Sequence, residues 1–271
     1  MDIEVVTAVI GAEVSGLELT AALDDVTIAT LRDALNRHHV LFFRDQRMTP
    51  AHQLAFAERF GTVQLPLIDA PAGDVAGVTV LDQVGPKGQG TDRWHADSTF
   101  MACPPLGAIL HAVQAPRVGG DTCFASMVAA YESLSPALRS FLDELEAVHS
   151  TAIVNRLMAD LTGIVHREGD DTETVHPVVR VHPESGRKVL FVNGNFTTRI
   201  VGLTEGESRV LLDLLFEHVR APEHQVRFRW EEGSVAFWDN RAVQHSAVPD
   251  YDERRVMHRV LIAGDAPVGP R

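Results

Sequence analysis

Three runs near the C-terminus decide the fold: Gln225-Val226-Arg227-Phe228-Arg229-Trp230, Ser234-Val235-Ala236-Phe237-Trp238, and Arg254-Arg255-Val256-Met257-His258-Arg259-Val260-Leu261-Ile262-Ala263. Each is short, rich in β-branched and aromatic residues and bounded by turn-forming or acidic residues, which is the pattern of strands. Working outward, Val175 to His182 and Lys188 to Val192 flank Pro183-Glu184-Ser185-Gly186 and read as a hairpin, while Val40 to Phe43, Gly77 to Leu81, Gly107 to Val113 and Asp121 to Ala125 read as further strands. Helical periodicity is confined to a few places. Val26 to His39 carries Ile28, Leu31 and Leu35 behind a cap at Asp24 or Asp25. Met127 to Glu146 reads as helical, and Leu212, Leu215, Phe216 and Val219 follow a capping box of Thr204 with Glu207. The expected class is mostly β with α additions: a jelly roll or other double-sheet barrel with flanking helices.

Two stretches interrupt this pattern. Gly61 to Gly90 is rich in Gly and Pro, as a lid or binding loop would be, and Thr151 to Asp171 reads as a helical or mobile insert. With no repeat, low-complexity tract or linker, residues 1–271 read as a single domain.

Composition narrows the function. The 24 Lys plus Arg against 37 Asp plus Glu leave a net charge of -13, which argues against nucleic acid and anionic membrane surfaces as partners. An anionic substrate would have to be held by individual buried cations. Two cysteines without C-x-x-C spacing support neither a disulfide framework nor a thiolate metal cage, and a cytoplasmic protein is expected. The acidic start Met1-Asp2-Ile3-Glu4 is unlike a signal peptide, and no apolar run is long enough to span a membrane.

The chemistry gathers in three segments. In Trp94-His95-Ala96-Asp97 an extended backbone turns His95 and Asp97 to the same side, where both can meet one ion. With 13 His in the chain, such a pair also arises by chance and fits a plain loop. Trp238 to His245 ends an apolar strand in a turn with a histidine just beyond it. Two imidazoles and one carboxylate on one face leave coordination positions open, as non-haem Fe(II) oxygenases require, but zinc accepts the same ligands. In Arg254 to Arg259, period two sets Arg255, Met257 and Arg259 on one face; guanidinium groups aimed into a sandwich need anions, whether internal carboxylates or a ligand.

Taken together, Trp94 to Phe100, Gly119-Gly120-Asp121-Thr122, His176-Pro177-Val178-Val179-Arg180, Trp238 to His245 and Arg254 to Arg259 resemble the taurine dioxygenase family of Fe(II)- and 2-oxoglutarate-dependent dioxygenases, which includes alkylsulfatases and aryloxyalkanoate dioxygenases. The resemblance runs over nearly the whole chain. It implies a double-stranded β-helix (cupin-like) core, Fe(II) held by His95, Asp97 and His245, and 2-oxoglutarate held at its distal carboxylate by Thr122 and Arg255. It further implies that Arg259 meets an anionic substrate head, that Phe196 lines the pocket, and that the protein is a homo-oligomer, a dimer or tetramer. The implied reaction consumes O₂, hydroxylates a C–H of a sulfonate, alkyl sulfate ester or aryloxyalkanoate, and gives succinate and CO₂, often with release of the substituent.

The chain departs from taurine-specific members, which have His and Tyr before the iron motif and an Asn shortly ahead of its first ligand. Gln64-Leu65-Pro66-Leu67-Ile68 and, near that Asn position, Thr91 stand here instead, and Ala152-Ile153-Val154 leaves room where bulk would otherwise sit. A more apolar substrate with one anionic end is expected, with Thr91 at its pocket. The competing readings are a tailoring hydroxylase or desaturase of a carboxylate-bearing metabolite on the same iron site, a metal-binding jelly roll without turnover, and a zinc hydrolase. Trp94 and Trp238 read as packing supports, and the histidines outside the iron motif as surface or core residues.

Overall fold

The computed structural model describes residues 1–65, 75–85, 92–162 and 171–270, with 158 and 160–162 as backbone only. In chain order the first half contains β1 (Asp2–Val5), β2 (Ala12–Ser15), α1 (Asp25–His38), β3 (Val40–Phe43), α2 (Pro50–Glu58), β4 (Val63–Gln64), β5 (Val78–Val84), β6 (Gly107–Gln114), β7 (Thr122–Ser126), α3 (Met127–Glu132) and α4 (Pro136–Leu142). The second half contains β8 (Glu146–Ser150), α5 (Ala152–Thr162), β9 (Glu173–Pro177), β10 (Val179–Val181), β11 (Lys188–Leu190), β12 (Thr197–Ile200), α6 (Glu205–Val219), β13 (Gln225–Phe228), β14 (Val235–Asp239), β15 (Val243–Ala247) and β16 (Arg254–Ile262).

A large sheet runs β1-β2-β3-β14-β6-β16-β4, with β5 also paired to β16. A smaller sheet, β13-β7-β15, faces it. Strand alternation explains how one sheet serves two cores. In β14, Ala236 and Trp238 point between the sheets with Phe42, Phe124, Phe228 and Met257. Val235 and Phe237 point the other way, onto α1 and α2 through Leu31, Leu35, Phe56 and Ala57. A third core joins α3 and α6 to β10, β11 and β12 through Met127, Val179, Leu190, Ile200, Leu212 and Leu215. This is the expected mostly β jelly roll with helices outside.

Several boundaries differ from the sequence reading. Met127 to Glu146 is two helices, because Ser133 caps α3 and Ser135 with Pro136 starts α4, and Glu146 opens β8. Val175 to His182 is split at Val178: β9 pairs with β8, whereas β10 pairs with β11 as the expected hairpin. The Pro177 ring supplies no backbone N–H to continue a ladder. His245 does follow the turn that ends β14, and it lies within a further strand, β15, that the sequence reading did not separate. The capping box on α6 forms as read, Thr204 accepting from Glu207 N and Glu207 from Thr204 N. Of the two interrupting stretches, Ala152–Thr162 is helical; 66–74, 86–91 and 163–170, including Thr91 and Pro66 to Ile68, lie outside the described residues.

Candidate active site

Backbone pairing brings the first and third metal candidates together. His95 N donates to His245 O at 3.1 Å and His245 N to His95 O at 2.8 Å, an isolated antiparallel bridge that sets the two rings 4.3 Å apart. Asp97 follows two positions later. One donor atom from each of His95, Asp97 and His245 falls within 4.8 Å of the others, and all three residues are buried. The two Nε2 atoms stand 3.9 and 4.0 Å from the Asp97 carboxylate oxygens.

The protonation states suit metal ligation. His95 Nδ1 lies 2.7 Å from Arg93 O and donates to it, leaving Nε2 its lone pair. Burial lowers the His95 imidazole below its ordinary range and pushes His245 down to about 3, so both rings are neutral near pH 7. Burial alone would raise Asp97, but His245, Arg259 and His95 facing it outweigh that effect and keep it ionised. Asp97 Oδ2 is buried without a hydrogen-bond partner among the described residues. A buried carboxylate oxygen is costly to leave so, and a divalent cation between three such donors removes the cost.

The support behind these ligands comes from the turn joining β14 to β15. Asn240, almost fully buried, accepts from Asp97 N at 2.7 Å and donates to Asp97 O at 3.0 Å and to Pro105 O at 3.2 Å. Its neighbour Asp239 holds the turn itself. Asp239 accepts from Arg241 Nε at 2.9 Å and Nη2 at 2.6 Å and from His182 Nε2 at 2.9 Å, while Arg241 Nη2 also reaches Glu184 at 2.9 Å. Burial would raise the Asp239 carboxyl, yet Arg241 and His182 hold it well below the usual range. Trp238 packs its ring 4.7 Å from that of His245.

Of the three arginines in β16, Arg255 and Arg259 share the inward face with Met257, while Arg254 is exposed and pairs with Asp82. Arg255 is 8% exposed, its Nε has no hydrogen-bond partner, and no carboxylate among the described residues lies within ion-pair distance of it. Its guanidinium carbon sits 5.9 Å from the Trp230 ring centre, and Trp230 Nε1 donates to Thr122 Oγ1 at 2.9 Å, so one indole borders both Thr122 and Arg255. Arg259 is less enclosed and reaches Asp97 Oδ1 with Nη1 at 3.4 Å. Phe196 is buried and packs 5.2 Å from Phe100, three residues beyond Asp97. Thr91 lies outside the described residues.

A family model described as "Taurine catabolism dioxygenase TauD, TfdA family" matches residues 2–261. The chain belongs to this family. Among curated members of the TauD/TfdA family, it is 40% identical to the α-ketoglutarate-dependent sulfate ester dioxygenase of Pseudomonas putida, covering 99% of this chain and 91% of that one. It is 39% identical to the alkylsulfatase of Acinetobacter baylyi, covering 97% and 85%. The crystal structure of a taurine dioxygenase from Burkholderia xenovorans superposes with a TM-score of 0.86 at 40% identity, covering 99% and 91%. This TauD/TfdA member is thus an oxidoreductase, a 2-oxoglutarate (α-ketoglutarate)-dependent dioxygenase, and the family implies Fe(II) and 2-oxoglutarate at its centre.

Sequence reasoning overlooked three supports. Asn240 stood inside a quoted segment but read only as part of a turn. Trp230 read only as the end of a strand. His149, left without a role, is buried and shares Thr99 Oγ1 with Asn193 at 2.9 Å each, two residues from Asp97. The signal available was a polar residue inside an otherwise apolar, buried segment.

Proposed function

We propose that the enzyme uses Fe(II), 2-oxoglutarate and O₂ to hydroxylate the carbon next to oxygen in a small alkyl sulfate ester, releasing sulfate and an aldehyde. The observation that carries this reading is the convergence of His95, Asp97 and His245, together with a buried guanidinium, Arg255, that has no carboxylate within ion-pair distance among the described residues. A zinc hydrolase has no use for that guanidinium.

When bound, the iron and keto acid supply the oxidising power that converts C–H to C–OH with O₂, leaving succinate and CO₂. The chain's part is placement. His95, Asp97 and His245 would hold the metal from one face and leave the opposite face free for ligands. Arg255 would grip the distal carboxylate of 2-oxoglutarate with two parallel N–H donors, and the Thr122 hydroxyl, oriented by Trp230, would add a third. Arg259, with its guanidinium already beside the metal carboxylate, would fix the sulfate head so that the adjacent carbon faces the metal. Phe196 and Phe100 would supply an apolar wall for the alkyl chain. The sulfate ester relatives and the absence of taurine-type His and Tyr before the iron motif support this substrate over an amine-bearing sulfonate. The two free cysteines suit a cytoplasmic setting, and a dimer or tetramer follows from the family resemblance alone.

The test is succinate and sulfate release from alkyl sulfates of graded length, with Fe(II), 2-oxoglutarate and O₂ each withheld in turn. Dependence on all three, lost in His95→Ala, is expected. Turnover without O₂, or mass gain of one oxygen without sulfate release from any ester, overturns the proposal.

A further inference from the structure

Behind Thr122 and Arg255, on the solvent side of the small sheet, lies an ion-pair bridge that the proposed reaction leaves unused. Arg227 in β13 donates from Nε to Asp121 Oδ2 at 2.7 Å and from Nη2 to Asp250 Oδ2 at 3.0 Å. Asp250 Oδ1 accepts from Gly120 N at 2.8 Å, and Val248 N donates to Asp121 O at 2.8 Å. Two turns are stitched together this way. One runs through Gly119, Gly120 and Asp121 into Thr122; the other runs from β15 through Asp250 and Tyr251 towards Arg255.

The fit between the turns is close. Gly119 and Gly120 have φ of 79° and 71°, and a Cβ on Gly119 would lie 2.3 Å from Asp250 O. A Cβ on Gly120 would lie 3.4 Å from Arg255 Cδ, so the arginine stem passes directly over this turn. The spacing of Thr122 and Arg255 therefore depends on how the turns are held.

Charge matters as much as spacing. Asp121 is 9% exposed, and its Oδ1 is buried without a hydrogen-bond partner among the described residues; only Oδ2 is engaged, by Arg227. Burial pushes the Arg255 guanidinium below its ordinary range, and Tyr251 and Asp121 push it back, so the Asp121 field reaches Arg255. Asp121 directly follows Gly120, over which the Arg255 stem passes, so its carboxylate is a rival to any carboxylate arriving from outside, both as a partner for Arg255 and as a source of repulsion.

We propose that Arg227 is a positioning residue for the co-substrate: by holding Asp121 and Asp250 on the outer face, it keeps the Asp121 charge away from Arg255 and leaves that guanidinium open to a 2-oxo dicarboxylic acid. The inference rests on the assignment of Arg255 to the distal carboxylate. It predicts an effect selective for that carboxylate, which a general loosening of the fold would not produce.

The experiment is an anaerobic titration of the Fe(II)-loaded full chain, followed by visible charge-transfer absorption. The ligands are 2-oxoglutarate and 2-oxobutyrate, which shares the chelating end but has no distal carboxylate. Arg227→Gln is expected to raise the Kd for 2-oxoglutarate about tenfold, in the range seen for residues that support a ligand from behind, while shifting 2-oxobutyrate less than about twofold. Adding Asp121→Asn should restore 2-oxoglutarate binding to within about threefold of the wild type, and Arg227→Lys, which keeps the charge, should stay within the same margin. An unchanged Kd in Arg227→Gln, an equal loss for both acids, or no recovery in the double variant overturns the inference. Arg255→Gln separates the two layers. If it weakens 2-oxoglutarate selectively and Arg227→Gln does not, the Arg227 role alone falls; if it is not selective, the Arg255 assignment falls and the inference with it.

Discussion

Replacing Asn240 with alanine removes three hydrogen bonds at once: from Asp97 N, and to the carbonyls of Asp97 and Pro105. All three backbone groups are shielded by a residue only 1% exposed, so water does not readily replace the lost partners. At about 1 kcal/mol or more for each stranded group, the expected loss is on the order of 3 kcal/mol. A domain with roughly 5 to 15 kcal/mol of stability remains folded after that change. The effect on the metal should be larger in proportion. With its backbone untethered, Asp97 no longer offers its carboxylate at a fixed point beside the two rings, and loss of such a support costs about 10- to 100-fold in metal affinity. Urea unfolding of the metal-free protein reads the first quantity, and titration with Mn(II), followed by the electron paramagnetic resonance of the free ion, reads the second. Asn240→Asp, which keeps the acceptor but loses both donors and adds a buried negative charge, should be at least as damaging to stability. Mn(II) affinity within twofold of the wild type in a folded Asn240→Ala protein would refute the tether.

Other outcomes follow from the same geometry. Burial lowers His39 to about 4 against 6.5 for the free side chain, so the unfolded chain takes up the proton first as pH falls. Stability from the neutral ring is complete above about pH 6.5, drains away towards pH 4 and changes no further below it, a loss on the order of 3 kcal/mol. His39→Asn, which tolerates the positive φ of 65°, should flatten that slope between pH 7.5 and 4.5 in urea melts; parallel curves would exclude His39 as its source. Gly119→Ala should cost well over about 2 kcal/mol because its new methyl meets Asp250 O, while Gly186→Ala, with φ of 69° but nothing within 4 Å, should cost only about 1 kcal/mol. Equal thermal shifts for the two would mean the turn yields freely. Chelation should leave the far-ultraviolet circular dichroism unchanged and lower the melting temperature by a few degrees, since backbone pairing already sets His95 beside His245. Loss of the strand signal would show that the ion builds the site.

The sequence made some features plain because they are local. Alternation placed His95 with Asp97, and Arg255 with Met257 and Arg259, on shared faces; the capping box at Thr204 and the period of Leu212, Leu215 and Val219 needed no partner to be read. Tertiary contacts were not readable in this way. Asn240 acts on a backbone 143 positions away, and nothing beside it in the chain signals that partner. β15 escaped because Val243–Ala247 carries Gln, His and Ser among its apolar residues and gains strand character from pairing with β7 and His95. The split at Val178 was hidden because β9 and β10 are each short and differ only in which neighbour they join. Thr122 drew meaning from a family resemblance, and its Trp230 partner became visible only when β13 lay against β7.

The bridge between His95 and His245 has a bearing on how the enzyme matures. His95 and His245 stand 150 positions apart, and the smaller sheet that carries the second is completed only when β13 and β15 flank β7. A nascent chain that has not yet added β15 can present an imidazole and a carboxylate but no closed chelate. On the proposed ligand set, metal loading therefore waits for β15, and a trapped ion serves as a certificate that two distant stretches of the polypeptide have met.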